Sequence, residues 1–229
     1  MLNTLRAEVL EANLELVRRG LVLYTFGNAS GVSRAEGLVV IKPSGVPYEE
    51  MTSAHMVVTD LEGRIVEGNL RPSTDLATHV ALYRAFPSIG GVVHTHSRHA
   101  TAWAQAGREI PCFGTTHADY FHGAIPVTDP LTAAEVESAY EANTGVAIIR
   151  AMGQRDPLSC PAMLVAGHGP FCWGATATEA AHTAVIVEEL AAMAWMTVTI
   201  NSAATPIAQC LRDKHHFRKH GASATYGQR

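Results

Sequence analysis

The sequence predicts an α/β protein in which strands and helices alternate within a single domain. Three observations predict it. Some stretches carry apolar residues at three- and four-residue spacing, and others are short β-branched runs closed by glycine or proline. The 229 residues are 47% hydrophobic and 17% charged, an ordinary globular composition with enough chain to bury a core. No repeat, low-complexity tract or linker divides residues 1–229, so one domain is expected over that span.

Composition also excludes some functions. A net charge of −4 argues against nucleic acid as a partner. Cys112, Cys160, Cys172 and Cys210 are scattered and form no CxxC pair, which suits free thiols in a reducing cytoplasm. The opening residues carry acids from Glu8 onward and lack a long apolar stretch, so no signal peptide is expected. The most apolar segment, Ala180 to Ile200, contains His182, Glu188 and Glu189. A charge near a bilayer centre costs about 2.5–3.5 kcal/mol, so this segment reads as a buried helix and not a membrane span. Twelve histidines are the one compositional excess.

The elements follow in order. Leu2, Leu5, Val9, Ala12 and Leu16 mark one helix face, stopped by Gly20. "LVLYT" reads as a strand, followed by a turn over Gly27–Gly31. "GLVVIKPSG" is a second strand, ending in Lys42-Pro43-Ser44-Gly45, and "HMVVTDLEGRIVEG" is a hairpin turning at Glu62-Gly63. "STDLATHVALYRAFP" is a helix that Ser73 or Thr74 would cap, with Pro87 past its end. "GGVVHTH" is a strand and "RHATAWAQAG" a helix closed by Gly107. A short strand "IPV", a helix "TAAEVESAYEANTG", and a strand and turn "PAMLVAGHG" come next. A long apolar helix spans Thr176 to about Thr199, and a last helix runs from about Ile207 to His220.

Chemistry concentrates in "VVHTHSRHATAWAQ". Side chains two apart on a strand share a face, so His94 and His96 would point the same way if the strand extends that far. Two imidazoles can then reach one cation at about 2.0–2.1 Å each. His168, in "AGHGP" after another strand, can supply a third nitrogen. Three histidines with an open fourth position is a catalytic zinc pattern, since structural sites are closed and usually hold cysteine. Cobalt or manganese would suit the same donors. His99, one turn into its helix, reads as a packing or supporting residue.

Eight stretches in order, "GNASG", "IKPSGV", "RPSTD", "HTHSRHAT", "GTTHADYF", "GHGPF", "LRDKHHFRKHG" and "YGQ", resemble the class II sugar-phosphate aldolase/epimerase family from about Leu5 to Gln228. The resemblance implies a central, mainly antiparallel β-sheet flanked by α-helices. It also implies a zinc epimerase that inverts carbon 4 of a pentulose 5-phosphate by breaking and remaking a carbon–carbon bond. The family's metal histidines fall on His94, His96 and His168, with Asp75 as the acidic position beside them. Its phosphate and substrate positions fall on Gly27, Asn28, Ser44, Gly45, Ser73 and Thr74, with Lys42 nearby. Its two proton-handling residues match Asp119 and Tyr226, with Thr116 and His215 as supporting residues. Members resemble one another in forming a four-fold ring in which the tail tyrosine serves a neighbouring site. A cytoplasmic homotetramer in pentose-phosphate sugar catabolism, by the arabinose or the ascorbate branch, is therefore implied.

The chemistry explains the residue types. The proton on carbon 4 is one atom too far from the ketone to be acidic. A retro-aldol cut between carbons 3 and 4 avoids that problem if a divalent metal stabilises the resulting charge. The aldehyde fragment must stay anchored by its phosphate while it rotates, and it needs a proton carrier on each side. Family aldolases have glutamate where this chain has Asp75; the shorter acid matches the epimerase pattern. Thr74 replaces a serine found in close relatives and keeps the hydroxyl. Two alternatives remain at this point: an aldolase that releases both fragments, and a non-catalytic scaffold like the adducin head.

Overall fold

The computed structural model describes residues 2–220 together with Ala224 and Thr225. Its frame is one seven-stranded sheet in which every neighbouring pair is antiparallel. The strands are β1 (Asn28–Ser33), β2 (Leu38–Ile41), β3 (Val57–Asp60), β4 (Ile65–Glu67), β5 (Gly91–His94), β6 (Ala162–Val165) and β7 (Gly169–Gly174), in spatial order β4-β3-β2-β1-β5-β7-β6. The helices are α1 (Asn3–Arg18), α2 (Leu76–Ala85), α3 (Arg98–Gln105), α4 (Thr115–Ala118), α5 (Ala133–Met152), α6 (Ala177–Ile200) and α7 (Gln209–Lys219).

Alternation along the strands divides the core in two. Ala29, Val40, Val58, Val93 and Cys172 face α1, α3 and α6. Val39, Ile41, Val57, Val92, Phe171 and Trp173 face the layer that holds α2 and α5. Helices therefore cover both faces of the sheet around β5, β6 and β7, which are buried along their whole length, whereas the edge strand β4 is exposed. Full burial of a residue such as Leu16 contributes about 1.5–3 kcal/mol.

Several expectations are corrected. "LVLYT" is not a strand: Tyr24 takes a left-handed φ of 53°, and the segment coils past the end of α1 with Leu23, Tyr24 and Phe26 exposed. Of the expected turn over Gly27–Gly31 only Gly27 turns, because Asn28 already begins β1. "GPFCWG" is a strand, β7, buried along its whole length between β5 and β6; Gly169-Pro170 reads as a turn only when the neighbouring strands are unknown. "IPV" contributes isolated bridges, Ile110 to Ile125 and Val127 to Leu164. Helix α5 runs on to Met152, because Gly145 is not a stop. It lets α5 approach α2: a Cβ there would lie 2.7 Å from the Ala81 Cβ. Thr132 and Glu135 form the capping box that starts α5.

Helix α6 is long and apolar enough to cross a membrane by length and composition. It lays a stripe from Ala177 to Ala194 on the sheet, yet it is not buried all round: Trp195, Met196 and Ile200 are exposed. Ser73 and Thr74 do not cap α2. Asp75 occupies the N-cap position and makes no side-chain cap bond.

Candidate metal centre and substrate site

The ends of β1, β5 and β7 meet at one place. His94 is the last residue of β5, in register with Asn28 on one side and Phe171 on the other. Its ring stacks on Phe171 with centroids 4.2 Å apart and 16° between planes. His96 lies two residues beyond the strand, and His168 in the turn between β6 and β7. The ring centroids are 4.8 Å apart for His94 and His96, 4.6 Å for His94 and His168, and 5.0 Å for His96 and His168. One ligand nitrogen from each lies within 4.8 Å of the others. Period-two spacing thus finds the right pair, although the strand stops at His94 and a loop delivers His96.

The donors fit a divalent metal ion. His94 Nδ1 donates to the Pro170 carbonyl at 3.0 Å, which leaves the Nε2 lone pair free. Burial, then repulsion from His168 and His96, holds His94 well below the ordinary histidine range, so the ring is neutral. Burial and His96 also lower His168, whose Nδ1 meets the Tyr140 hydroxyl at 3.2 Å. Neutral imidazoles are what a metal requires. Tyr140 is a site neighbour that the sequence does not announce, because it arrives from α5, 28 residues before its partner.

Of the expected substrate positions, Gly27 and Asn28 lie against the β5 end that carries His94. Asn28 Nδ2 donates to Asp75 Oδ2 at 2.6 Å, which explains why Asp75 does not cap α2. The Asp75 charge acts on both His168 and His79. Asn28 Oδ1 is buried and unpartnered, an acceptor that a bound ligand or water would satisfy. Backbone bonds from Ser44 N–H to Arg71 O (2.9 Å) and from Ser73 N–H to Lys42 O (2.9 Å) pair residues 42–44 with residues 71–73. Ser44, Gly45 and Thr74 are exposed, whereas Lys42 is 1% exposed. Lys42 Nζ donates to the carbonyls of Thr25 (3.1 Å) and Pro43 (3.4 Å), and burial lowers its pKa to about 8. Gly27 approaches the β5 end so closely that a Cβ would sit 3.0 Å from the His94 carbonyl.

Asp119 follows α4, and its partners lie on α7, not among the imidazoles. It accepts from His215 Nδ1 at 3.0 Å and from Arg218 Nη2 at 2.9 Å, with Lys219 Nζ at 3.4 Å. Burial would raise its pKa, but the bonds from Arg218 and His215 outweigh this and lower it. The basic run "RDKHHFRKH" therefore closes on an acid of its own chain. Thr116 lies exposed within α4, lining a cavity with Leu190 and Met193 of α6. Tyr226 lies outside the described residues.

Residues 7–195 match the model of the class II aldolase and adducin N-terminal domain. The chain belongs to this family. Among its relatives is the L-ribulose-5-phosphate 4-epimerase UlaF of Salmonella paratyphi B, 56% identical over 98% of this chain and 99% of that one. Solved structures of the family share the fold. An L-fuculose 1-phosphate aldolase matches with a TM-score of 0.79 at 23% identity, over 94% of this chain and 95% of that one. The L-fuculose-1-phosphate aldolase of Thermus thermophilus matches with a TM-score of 0.70 at 25% identity, over 89% of this chain and 100% of that one.

Proposed function

We propose that the chain interconverts L-ribulose 5-phosphate and D-xylulose 5-phosphate by cleaving the bond between carbons 3 and 4, rotating the aldehyde fragment and re-forming the bond. The observation that carries this reading is the imidazole triad, in a chain that matches an epimerase over 98% of its length. His94, His96 and His168 would hold zinc, with Asp75 supporting the site through Asn28. A divalent ion there supplies Lewis-acid stabilisation of the oxygen charge that develops as the bond breaks.

The remaining groups bind and protonate. Lys42, Asn28 and the hydroxyls of Ser44, Ser73 and Thr74 hold the phosphate, helped by the backbone amides of Gly27 and Gly45. That grip keeps the aldehyde fragment in place while it turns. Asp119, kept ionised by Arg218 and His215, serves as a proton acceptor on one face. Tyr226 serves the other face, reaching a neighbouring subunit's site in a homotetramer. The reaction belongs to cytoplasmic catabolism of pentulose phosphates such as those derived from arabinose.

The test pairs metal analysis of the purified protein with turnover of L-ribulose 5-phosphate. The expected result is zinc-dependent formation of D-xylulose 5-phosphate, with both metal and turnover lost in His96→Asn. A metal-free His96→Asn protein that turns over fully would refute the site. Stoichiometric release of dihydroxyacetone and glycolaldehyde phosphate would make the enzyme an aldolase.

A further inference from the structure

Glu188 sits in the middle of α6 and reaches sideways to the start of α3. Its Oε1 accepts the backbone N–H of His99 at 2.9 Å and the Nδ1–H of the same residue at 2.8 Å. Its Oε2 accepts the backbone N–H of Ala100 at 3.0 Å. These amides belong to the first turn of α3, where a helix leaves its N–H groups without partners. A serine at the N-cap usually takes one of them. Ser97 holds that position here and makes no such bond. The cap comes instead from another helix, and its charge also suits the positive end of the α3 dipole. Burial raises the carboxyl's pKa, but the amides of Ala100 and His99 outweigh it and keep the group ionised.

His96 needs an external support. β5 ends at His94, so no strand ladder holds the following residues, and Thr95 N–H reaches the Pro170 carbonyl only at 3.4 Å. His96 itself is exposed and immediately precedes the N-cap of α3. The β7 turn comes close on the other side: a Cβ on Gly169 would lie 2.8 Å from Thr95 O and 3.4 Å from His96 Cδ2. Meanwhile α6 packs directly on β5 and β7, the strands that end at His94 and begin just after His168. One helix therefore spans the frames of all three imidazoles.

We infer that Glu188 is a positioning residue for the metal centre: from α6 it clamps the first turn of α3 and so holds His96 in register with His94 and His168. The inference rests on the reading of the three histidines as a metal site. It predicts an effect that a plain helix cap would not have. A cap that only stabilises the fold changes the unfolding midpoint and leaves the metal alone. A clamp on the ligand loop changes the affinity for zinc itself.

The experiment measures the zinc dissociation constant by chelator competition, together with the denaturant midpoint, on the full chain. The variants are Glu188→Gln, the charge-keeping Glu188→Asp, and the remote core variant Val9→Ala. Loss of a group bonded directly to a metal ligand typically weakens metal binding about 10–100-fold; Glu188 acts one step further out, through the His99 and Ala100 amides, so Glu188→Gln is expected to weaken zinc binding at the lower end, about tenfold. Glu188→Asp should fall between it and the parent, and Val9→Ala should bind zinc as the parent does despite its lower midpoint. Parental zinc affinity in Glu188→Gln, or an equal loss in Val9→Ala, would overturn the inference. A parent protein that takes up no zinc would remove the metal reading itself, and the inference with it.

Discussion

Among the described residues Lys42 is a lysine buried without a carboxylate partner, and that imbalance makes the proposed phosphate binding depend on pH in a calculable way. Its Nζ has two backbone carbonyls and the Tyr48 ring, 4.8 Å from the centroid, for company. Burial lowers the pKa from 10.5 to about 8, equivalent to about 3 kcal/mol against the charged form at about 1.36 kcal/mol per unit. A phosphate dianion would supply the missing counter-charge. The free enzyme would carry that charge in about nine-tenths of molecules at pH 7 and about one-tenth at pH 9. The inhibition constant of inorganic phosphate, competing with substrate and expressed on the concentration of its dianion, should therefore rise about tenfold between those pH values. Stability should move the other way. The unfolded lysine keeps its proton up to about pH 10.5 and the folded one only to about 8, so between these values the unfolded chain binds more protons. Stability from this group then rises with pH across that window, and below it the penalty is constant. In Lys42→Met both slopes should vanish relative to the parent. A phosphate constant that stays flat from pH 7 to 9, or a slope that survives in Lys42→Met, would refute the reasoning.

Two further predictions concern the proton carrier in the tail and the turn before β1. Tyr226→Phe should leave zinc content unchanged and slow epimerisation by about 10²–10⁴, the usual contribution of a proton-transfer group; unchanged turnover would exclude the tail from the chemistry. Gly27→Ala forces a side chain into φ 69° and a Cβ to 2.7 Å from Val22 Cγ1. The left-handed conformation costs about 1–2 kcal/mol and the overpacking about 1–3 kcal/mol. Each kcal/mol lowers the melting temperature of a chain this size by about 2–4 °C, so a calorimetric scan within about 2 °C of the parent would contradict the contact.

The parts of this molecule that were legible in its sequence are those set by short-range rules. His94 and His96 are two residues apart at a strand end, and His168 sits in a glycine-flanked turn, so local pattern alone nominates all three. Helix α1 follows from periodicity, and strand β2 from a β-branched run closed by Pro43 and Gly45. Strand β7 was hidden because it is buried on both faces and shows no alternation, and because its glycine and proline mimic a turn. The apolar stretch before Gly27 has strand composition, but no neighbour is placed to pair with it. Glu188 was visible only as a charge that argued against reading an apolar helix as a membrane span. Its work at α3 depends on a contact 88 and 89 residues away, beyond the reach of any local rule.

The same distinction between local and distant contacts separates the two functions proposed for the site. The three imidazoles stand on the sheet's central strands or within two residues of them, backed by Phe171 and framed by α6. The turns at Lys42 and Ser73, proposed to hold the substrate, are joined by backbone bonds between the end of β2 and the approach to α2. Charge stabilisation and phosphate grip need fixed geometry, because their value lies in being arranged before the reaction begins. Asp119 belongs to a different unit, a four-residue helix held to α7 by His215, Arg218 and Lys219. Those bonds join side chains 96 to 100 residues apart near the chain's end, outside the sheet altogether. Proton transfer to a rotating aldehyde calls for groups that approach from two faces, and one rigid wall cannot present both. For the proposed mechanism, a second unit built on α4 and α7 is a physical answer to that requirement.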